Sequence, residues 1–242
     1  MISINDVSIS FGEQSVLENV SFDIHDEEII MVVGQSGCGK SVLMKIIAGL
    51  LPPDQGYVTI NGKNLMQSSK DEAIQIRQKL AMLFQGSALL DSLNVYQNVA
   101  LPLFEHTRLS DQEIEEQVKE KLAKVGLSDI LLKMPSELSG GMRKRVAFAR
   151  AIITSPRYII YDEPTTGLDP VLASEITALI SNLHSTQSTA TVIVTHDLYC
   201  IEKISGRIVM LADKNIIFDG SYEKFKNASD KRIQRFLYST ER

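Results

Sequence analysis

Residues 28–33, Glu28-Ile-Ile-Met-Val-Val33, are apolar after the first position. An unbroken apolar run of this length predicts a strand buried on both faces. Tyr158-Ile-Ile-Tyr161 and Thr191-Val-Ile-Val194 have the same character. Ile2-Ser-Ile4 and Val20-Ser-Phe22-Asp-Ile24 instead alternate apolar and polar, as half-exposed antiparallel strands do. Tyr57-Val-Thr-Ile-Asn61 continues that style, with Gly56 and Gly62 as its bounds. Ile208-Val-Met-Leu211 and Ile216-Ile-Phe218, separated by Asp213-Lys-Asn215, predict a hairpin.

Helical spacing dominates the middle of the chain, from Gln85 to about Thr154. Ser110-Asp-Gln-Glu113 is a capping box, and Ile114, Val118, Leu122 and Val125 follow it on one face. Acids crowd the first turn of this helix, lysines the last, and Gly126 ends it. Later, Asp169 and Pro170 open another helix with Leu172, Ile176, Leu179 and Leu183 as its stripe. The tail, 230–242, carries Ile233, Phe236 and Leu237 at helical spacing. Such a stripe needs cover, either from its own domain or from a partner or second copy.

Composition narrows the class. The chain has 242 residues, 44% hydrophobic and 23% charged, which suits one large globular α/β unit. No apolar stretch approaches about 18 residues, so no membrane span is expected. The first residues lack a basic segment and an apolar core, so no signal peptide is expected. The two cysteines, Cys38 and Cys200, make no disulfide framework and suit a reducing compartment. A net charge of −5 argues against bulk attraction to nucleic acid or anionic lipid.

The chemistry begins at Gly34-Gln35-Ser36-Gly37-Cys38-Gly39-Lys40-Ser41, a G-x-x-x-x-G-K-[ST] phosphate loop. Its glycines let the backbone curl with N–H groups pointing at an anion. Lys40 reaches the outer phosphates, and the Ser41 hydroxyl can bind Mg²⁺. The preceding buried run and a following helix pattern, Val42 to Leu50, give the strand–loop–helix setting that places the helix N-terminus at the phosphates.

A phosphate loop alone leaves kinases, GTPases and motors open. Asp162 and Glu163, directly after an apolar run, are carboxylates delivered at the end of a buried strand. Asp162 is placed to hold Mg²⁺ through its water shell, and Glu163 to polarise the attacking water. Leu138-Ser139-Gly140-Gly141 precedes a helix pattern running from Arg143 to Ile153. A hydroxyl and two glycines before a helix make a second anion site. One phosphate loop does not need two cradles, so a head-to-tail dimer is expected, each copy closing over its partner's nucleotide.

With these motifs in this order, the sequence resembles the ATP-binding-cassette (ABC) ATPases along essentially its whole length. The resemblance implies a P-loop NTPase core with an antiparallel β subdomain and an inserted helical subdomain. On the sequence pattern the core spans 1–85 and 156–229, the helical insertion 86–155 and the tail 230–242. The resemblance also implies roles. Phe11 stacks on adenine, and Gln85, after a strand, senses Mg²⁺ and the membrane partner. Leu138 to Gly141 form the signature, and Asp169 speaks across the dimer. His196, in Thr195-His196-Asp197, contacts the γ-phosphate. ATP and Mg²⁺ are the implied cofactors.

Met142 stands where the family at large has glutamine. That variant resembles one branch, the Mla/Mce-type phospholipid transport ATPases. So do Phe84-Gln-Gly-Ser-Ala-Leu-Leu-Asp91, Asn94 to Val99, Leu101 to His106, Met134 to Leu138 and Leu211 to Asp213. The branch implies a homodimer at the cytoplasmic face of the inner membrane, bound to integral permease subunits and a lipid-binding component. Another transported cargo (lipoprotein, amino acid or metal) is the nearest alternative. A nucleic-acid-associated ATPase resting on Arg143, Lys144, Arg145 and Arg150 is a weaker one. No nucleic-acid partner is expected.

Overall fold

The computed structural model describes residues 1–84 and 86–239. The chain opens with two long strands, β1 (Ile2–Phe11) and β2 (Gln14–Ile24), paired antiparallel around the turn at Gly12. Then come β3 (Ile29–Val33), α1 (Lys40–Ile47), β4 (Gln55–Ile60), β5 (Lys63–Asn64), α2 (Lys70–Arg77) and β6 (Leu80–Leu83). Helices α3 (Val95–His106), α4 (Asp111–Lys124) and α5 (Gly140–Ile152) follow, with a 3-10 turn at Pro135–Glu137 before the last. The chain returns to α/β as β7 (Tyr158–Asp162), α6 (Pro170–Gln187), β8 (Ala190–Val194), α7 (Leu198–Ile204), β9 (Arg207–Ala212) and β10 (Asn215–Gly220). It closes with α8 (Tyr222–Lys226) and α9 (Lys231–Ser239).

The strands form two sheets. One is antiparallel, in the order β2-β1-β4-β5. The other runs β10-β9-β3-β8-β7-β6, parallel throughout except for the β9–β10 hairpin. Every residue of β7 and β8 is buried, because layers cover both faces. Alternate side chains feed alternate cores. Ile30 and Val32 of β3 enter the core shared with α1 and the antiparallel sheet. Met31 and Val33 enter the core shared with α3 to α7. A single five-residue strand thus ties both layers together.

This topology positions the site. β3, β7 and β8 are neighbours and parallel, so their C-terminal ends share one sheet edge. That edge is where ligands bind in parallel α/β sheets.

Three details depart from the sequence reading. Gly56 lies inside β4 rather than before it. Its φ is +77°, and an added Cβ would meet Asn5 O at 2.3 Å, so only glycine fits where β1 and β4 shift register. Helix α2 escaped the periodicity reading because it buries only Ala73 and Ile76. Its Ser69–Glu72 capping box is the local signal that finds it. Lastly, the tail stripe finds its cover at home. In α9, Ile233 and Phe236 are buried in this chain's own core, with Phe236 edge-on to Phe225 of α8 at 6.1 Å. Phe225 in turn meets Phe218 of β10 at 5.1 Å. Both side chains are therefore covered within this chain, Phe236 in part by Phe225 of α8.

Candidate functional site

The phosphate loop leaves β3 at Gly34 and enters α1 at Lys40. Gly34, Gly37 and Gly39 have φ of +153°, +80° and +104°, so the curl expected of the loop is built on the positive angles glycine permits. At Gly34 the space is also closed, since a Cβ would lie 2.4 Å from Leu211 O. Lys40 is buried and donates from Nζ to Gly34 O at 2.8 Å and Gln35 O at 3.0 Å. The ammonium thus rests on the loop's own carbonyls, at the position from which it can turn to a phosphate oxygen.

A cavity of about 770 Å³ opens beside the loop. Gln35, Ser36, Gly37, Gly39, Lys40 and Ser41 form its floor, Glu163 and His196 one wall, and Phe11 another. Phe11 ends β1 and is 52% exposed, so it is not a core aromatic. An exposed aromatic ring at the cavity wall is the kind of group that stacks on a planar base. The cavity also takes in Val16, Thr166 and Phe236, which the sequence reading did not place there. Thr166 has a signal in hindsight, three residues after Glu163 in a tight turn. Val16 has none.

Asp162 ends β7 beneath Ser41, with Ser41 Oγ 3.4 Å from Asp162 Oδ1. Burial pushes the Asp162 carboxyl up, aided by Glu163, while Ser41, Lys40 and Lys45 pull it down. A hydroxyl and a buried carboxylate are the hard oxygen donors that Mg²⁺ takes. Among the described residues no cluster of three or more His, Cys, Asp or Glu side chains forms a metal cage. Two protein oxygens are what Mg²⁺ uses when phosphates and water complete its shell, so the residues fit the ion.

Glu163 follows with φ +49°, its N–H bonded to Val194 O at 2.9 Å. Its carboxylate accepts from Thr166 Oγ1 at 2.9 Å and lies 2.9 Å from His196 Nδ1. The Glu163 side chain is 12% exposed and that of His196 51%, so the acid is sheltered and the imidazole faces the opening. Asp197 steadies the loop beyond His196, accepting from Thr165 Oγ1, Tyr199 N and Cys200 N.

The remaining sequence candidates lie apart. Cys38 faces a neighbouring cavity, and burial pushes its thiol pKa up. Gly140 and Gly141 start α5, Leu138 and Ser139 directly precede it, and none of the four is among the residues lining the 770 Å³ cavity. Ser139 Oγ caps that helix, accepting from Met142 N at 3.2 Å. Gly141 packs so close to α6 that a Cβ would lie 2.8 Å from Leu172 Cδ1. Asp169 caps α6, accepting from Val171 and Leu172 at 3.0 Å. Gln85 lies outside the described residues.

Comparison with known proteins matches this arrangement. The family model described as ABC transporter covers residues 17–166. The chain is 39% identical to the protein TRIGALACTOSYLDIACYLGLYCEROL 3, chloroplastic, of Arabidopsis thaliana, over 98% of this chain and 73% of that one. It is 38% identical to the intermembrane phospholipid transport system ATP-binding protein MlaF of Escherichia coli K12, over 98% and 88%. Among solved structures, a dimeric post-hydrolysis state of the ATP-binding cassette MJ0796 bound to ADP and Pi superposes with a TM-score of 0.83. That alignment is 32% identical over 91% of this chain and 98% of the other. A phosphate loop, two carboxylates and a histidine on one edge of a parallel sheet, in a chain that aligns with these relatives almost throughout, have one reading: the chain belongs to the ABC transporter family, as an ATP-binding and ATP-hydrolysing cassette.

Proposed function

We propose that this cassette powers the movement of phospholipid between membranes, through a separate integral permease and an Mce-type lipid-binding protein. The observation that carries this reading is the 38% identity to MlaF across 98% of the chain. Segments flanking α3 and α5, and Met142 itself, carry the same resemblance. The division into a core (1–85 and 156–229), a helical subdomain (86–155) and a tail belongs to the same proposal. So does attachment to the cytoplasmic face of the inner membrane. Among the described residues no helix is long and apolar enough to cross a membrane, so docking on a permease supplies the attachment.

In the reaction, Phe11 holds the adenine, and the loop N–H groups and Lys40 hold the phosphates. Ser41, Asp162 and Gln85 would hold Mg²⁺, which would supply charge neutralisation at the transferred phosphoryl group. Glu163 orients the attacking water, and His196 steadies the γ-phosphate from the cavity mouth. Ser139 to Gly141, outside the cavity of their own chain, complete the site of a second copy, with Asp169 beside that interface. The dimeric form of MJ0796 supports the two-copy arrangement.

Affinity purification from detergent-solubilised membranes tests the cargo. A permease subunit and phospholipid travelling with the cassette are expected. A permease bringing a different cargo, or bound nucleic acid in place of a permease, overturns the phospholipid reading.

A further inference from the structure

The turns that follow β7 and β8 are joined by few bonds. Strand pairing ends at Asp162 opposite Val194, and the last backbone link is Glu163 N donating to Val194 O at 2.9 Å. Beyond it the second turn leaves for β3, with Thr195 N donating to Val32 O at 3.2 Å. Among the described residues, two side-chain bonds then cross from turn to turn. One joins Glu163 to His196, and the other runs from Thr165 Oγ1 to Asp197 Oδ2 at 3.0 Å.

The first bond is made by groups that the reaction needs free. A carboxylate that orients water and an imidazole that meets a phosphate give up that bond as they act. The second bond has no such duty. Thr165 is 5% exposed and is not among the residues lining the 770 Å³ cavity, so it stands behind the site rather than in it.

Burial makes this hydroxyl informative. Valine has nearly the same shape, and a buried hydroxyl costs free energy unless it is bonded. Its partner is fixed independently. Asp197 Oδ1 accepts from Tyr199 N at 2.9 Å and Cys200 N at 3.4 Å, at the start of α7. Asp197 N donates to Thr195 Oγ1 at 3.0 Å. On the other side, Thr165 O accepts from Leu168 N at 3.2 Å, within the turn whose first residue, Glu163, has φ +49°. A glutamate in that region persists where surrounding contacts over-determine it.

We propose that Thr165 is a positioning residue for ATP hydrolysis, tying the Glu163 turn to Asp197 so that the Glu163 carboxylate and His196 keep their spacing. This rests on Glu163 being the residue that orients the attacking water.

The test uses the full chain with Thr165→Val and Thr165→Ser, measuring ATP turnover and thermal melting. Thr165→Val keeps the shape and removes the donor. Its kcat is expected to fall about tenfold, less than the roughly 100-fold that a 1 Å misplacement can cost. KM for ATP is expected to change less than about twofold. Thr165→Ser, which keeps the donor, is expected to recover kcat to within about threefold of wild type. In a Glu163→Gln background, single-turnover hydrolysis is expected to show less than about a twofold further loss from Thr165→Val, because the group it positions is already gone. The proposal is overturned if Thr165→Val keeps wild-type kcat, or if KM rises in step with the loss of kcat. It is equally overturned if serine gives no recovery, or if the tenfold loss persists in the Glu163→Gln background. A valine variant that does not fold overturns it too, since the bond is then structural. Wild-type turnover in Glu163→Gln alone sinks the site assignment itself, whatever Thr165 does.

Discussion

Glu163 and His196 lie just beyond the ends of adjacent parallel strands, and the His196 Nδ1 lies 2.9 Å from the Glu163 carboxylate. Thirty-three residues separate them in the chain, yet Asp162 stands opposite Val194 in the sheet, which brings the two turns side by side. Thr166 holds the carboxylate's other side. The acid is thus fixed from two directions, and its backbone sits at φ +49° with the side chain on the cavity wall.

Removing that carboxylate tests its role directly. Glu163→Gln is expected to lower kcat by about 10²–10⁴-fold while keeping ATP affinity, because an amide cannot take a proton from water. ATP should then trap a dimer. Phosphate release and size-exclusion chromatography check both, and wild-type turnover in the variant refutes the assignment.

Ser139 separates binding from assembly. It lies outside the cavity that its own chain builds around the phosphate loop. Ser139→Phe should therefore leave nucleotide binding to the isolated chain unchanged and cut turnover by about 100-fold, the scale of losing a transition-state donor. Titration with a fluorescent ATP analogue, set beside steady-state turnover, decides. Full turnover in a dilute monomer contradicts the two-copy site.

Asp162 ties pH to stability. Burial raises its folded pKa above the unfolded value, which is about 3.9 for aspartate. A raised carboxyl contributes stability that is complete below the unfolded pKa and lost as pH rises through the folded pKa. At neutral pH, with divalent cation chelated, the ionised Asp162 is a cost to the fold. Asp162→Asn should therefore melt at a higher temperature than wild type at pH 7, with the gap closing as pH falls toward 4. It should lose Mg²⁺-dependent turnover at the same time. Thermal melts across pH supply the check, and a lower Tm for the variant at pH 7 refutes the burial argument.

Phe236 measures the tail. It is 2% exposed and packs edge-on to Phe225. Phe236→Ala should cost about 3–5 kcal/mol, as other buried Phe to Ala changes do. Denaturant unfolding of the purified chain reads this. A cost below about 1 kcal/mol means that α9 packs elsewhere in solution.

Much of this protein was legible from residue order alone. The phosphate loop, the Asp162–Glu163 pair and the helix starts at Ser110 and Asp169 are local patterns. Their chemistry sits within a few neighbouring residues, and periodicity of 2 or 3.6 places them on strands or helices. Residue order could not show that Gly56 belongs inside a strand, since the carbonyl of Asn5 that excludes a Cβ comes from fifty-one residues away. Nor could it show that Phe236 is covered by α8, that Thr166 and His196 grip one carboxylate, or that Arg150 reaches Ser87. Those facts rest on which strands lie side by side and which helix faces meet. Only the packed sheet and its two cores decide that, because burial is a property of the whole chain and not of any window along it.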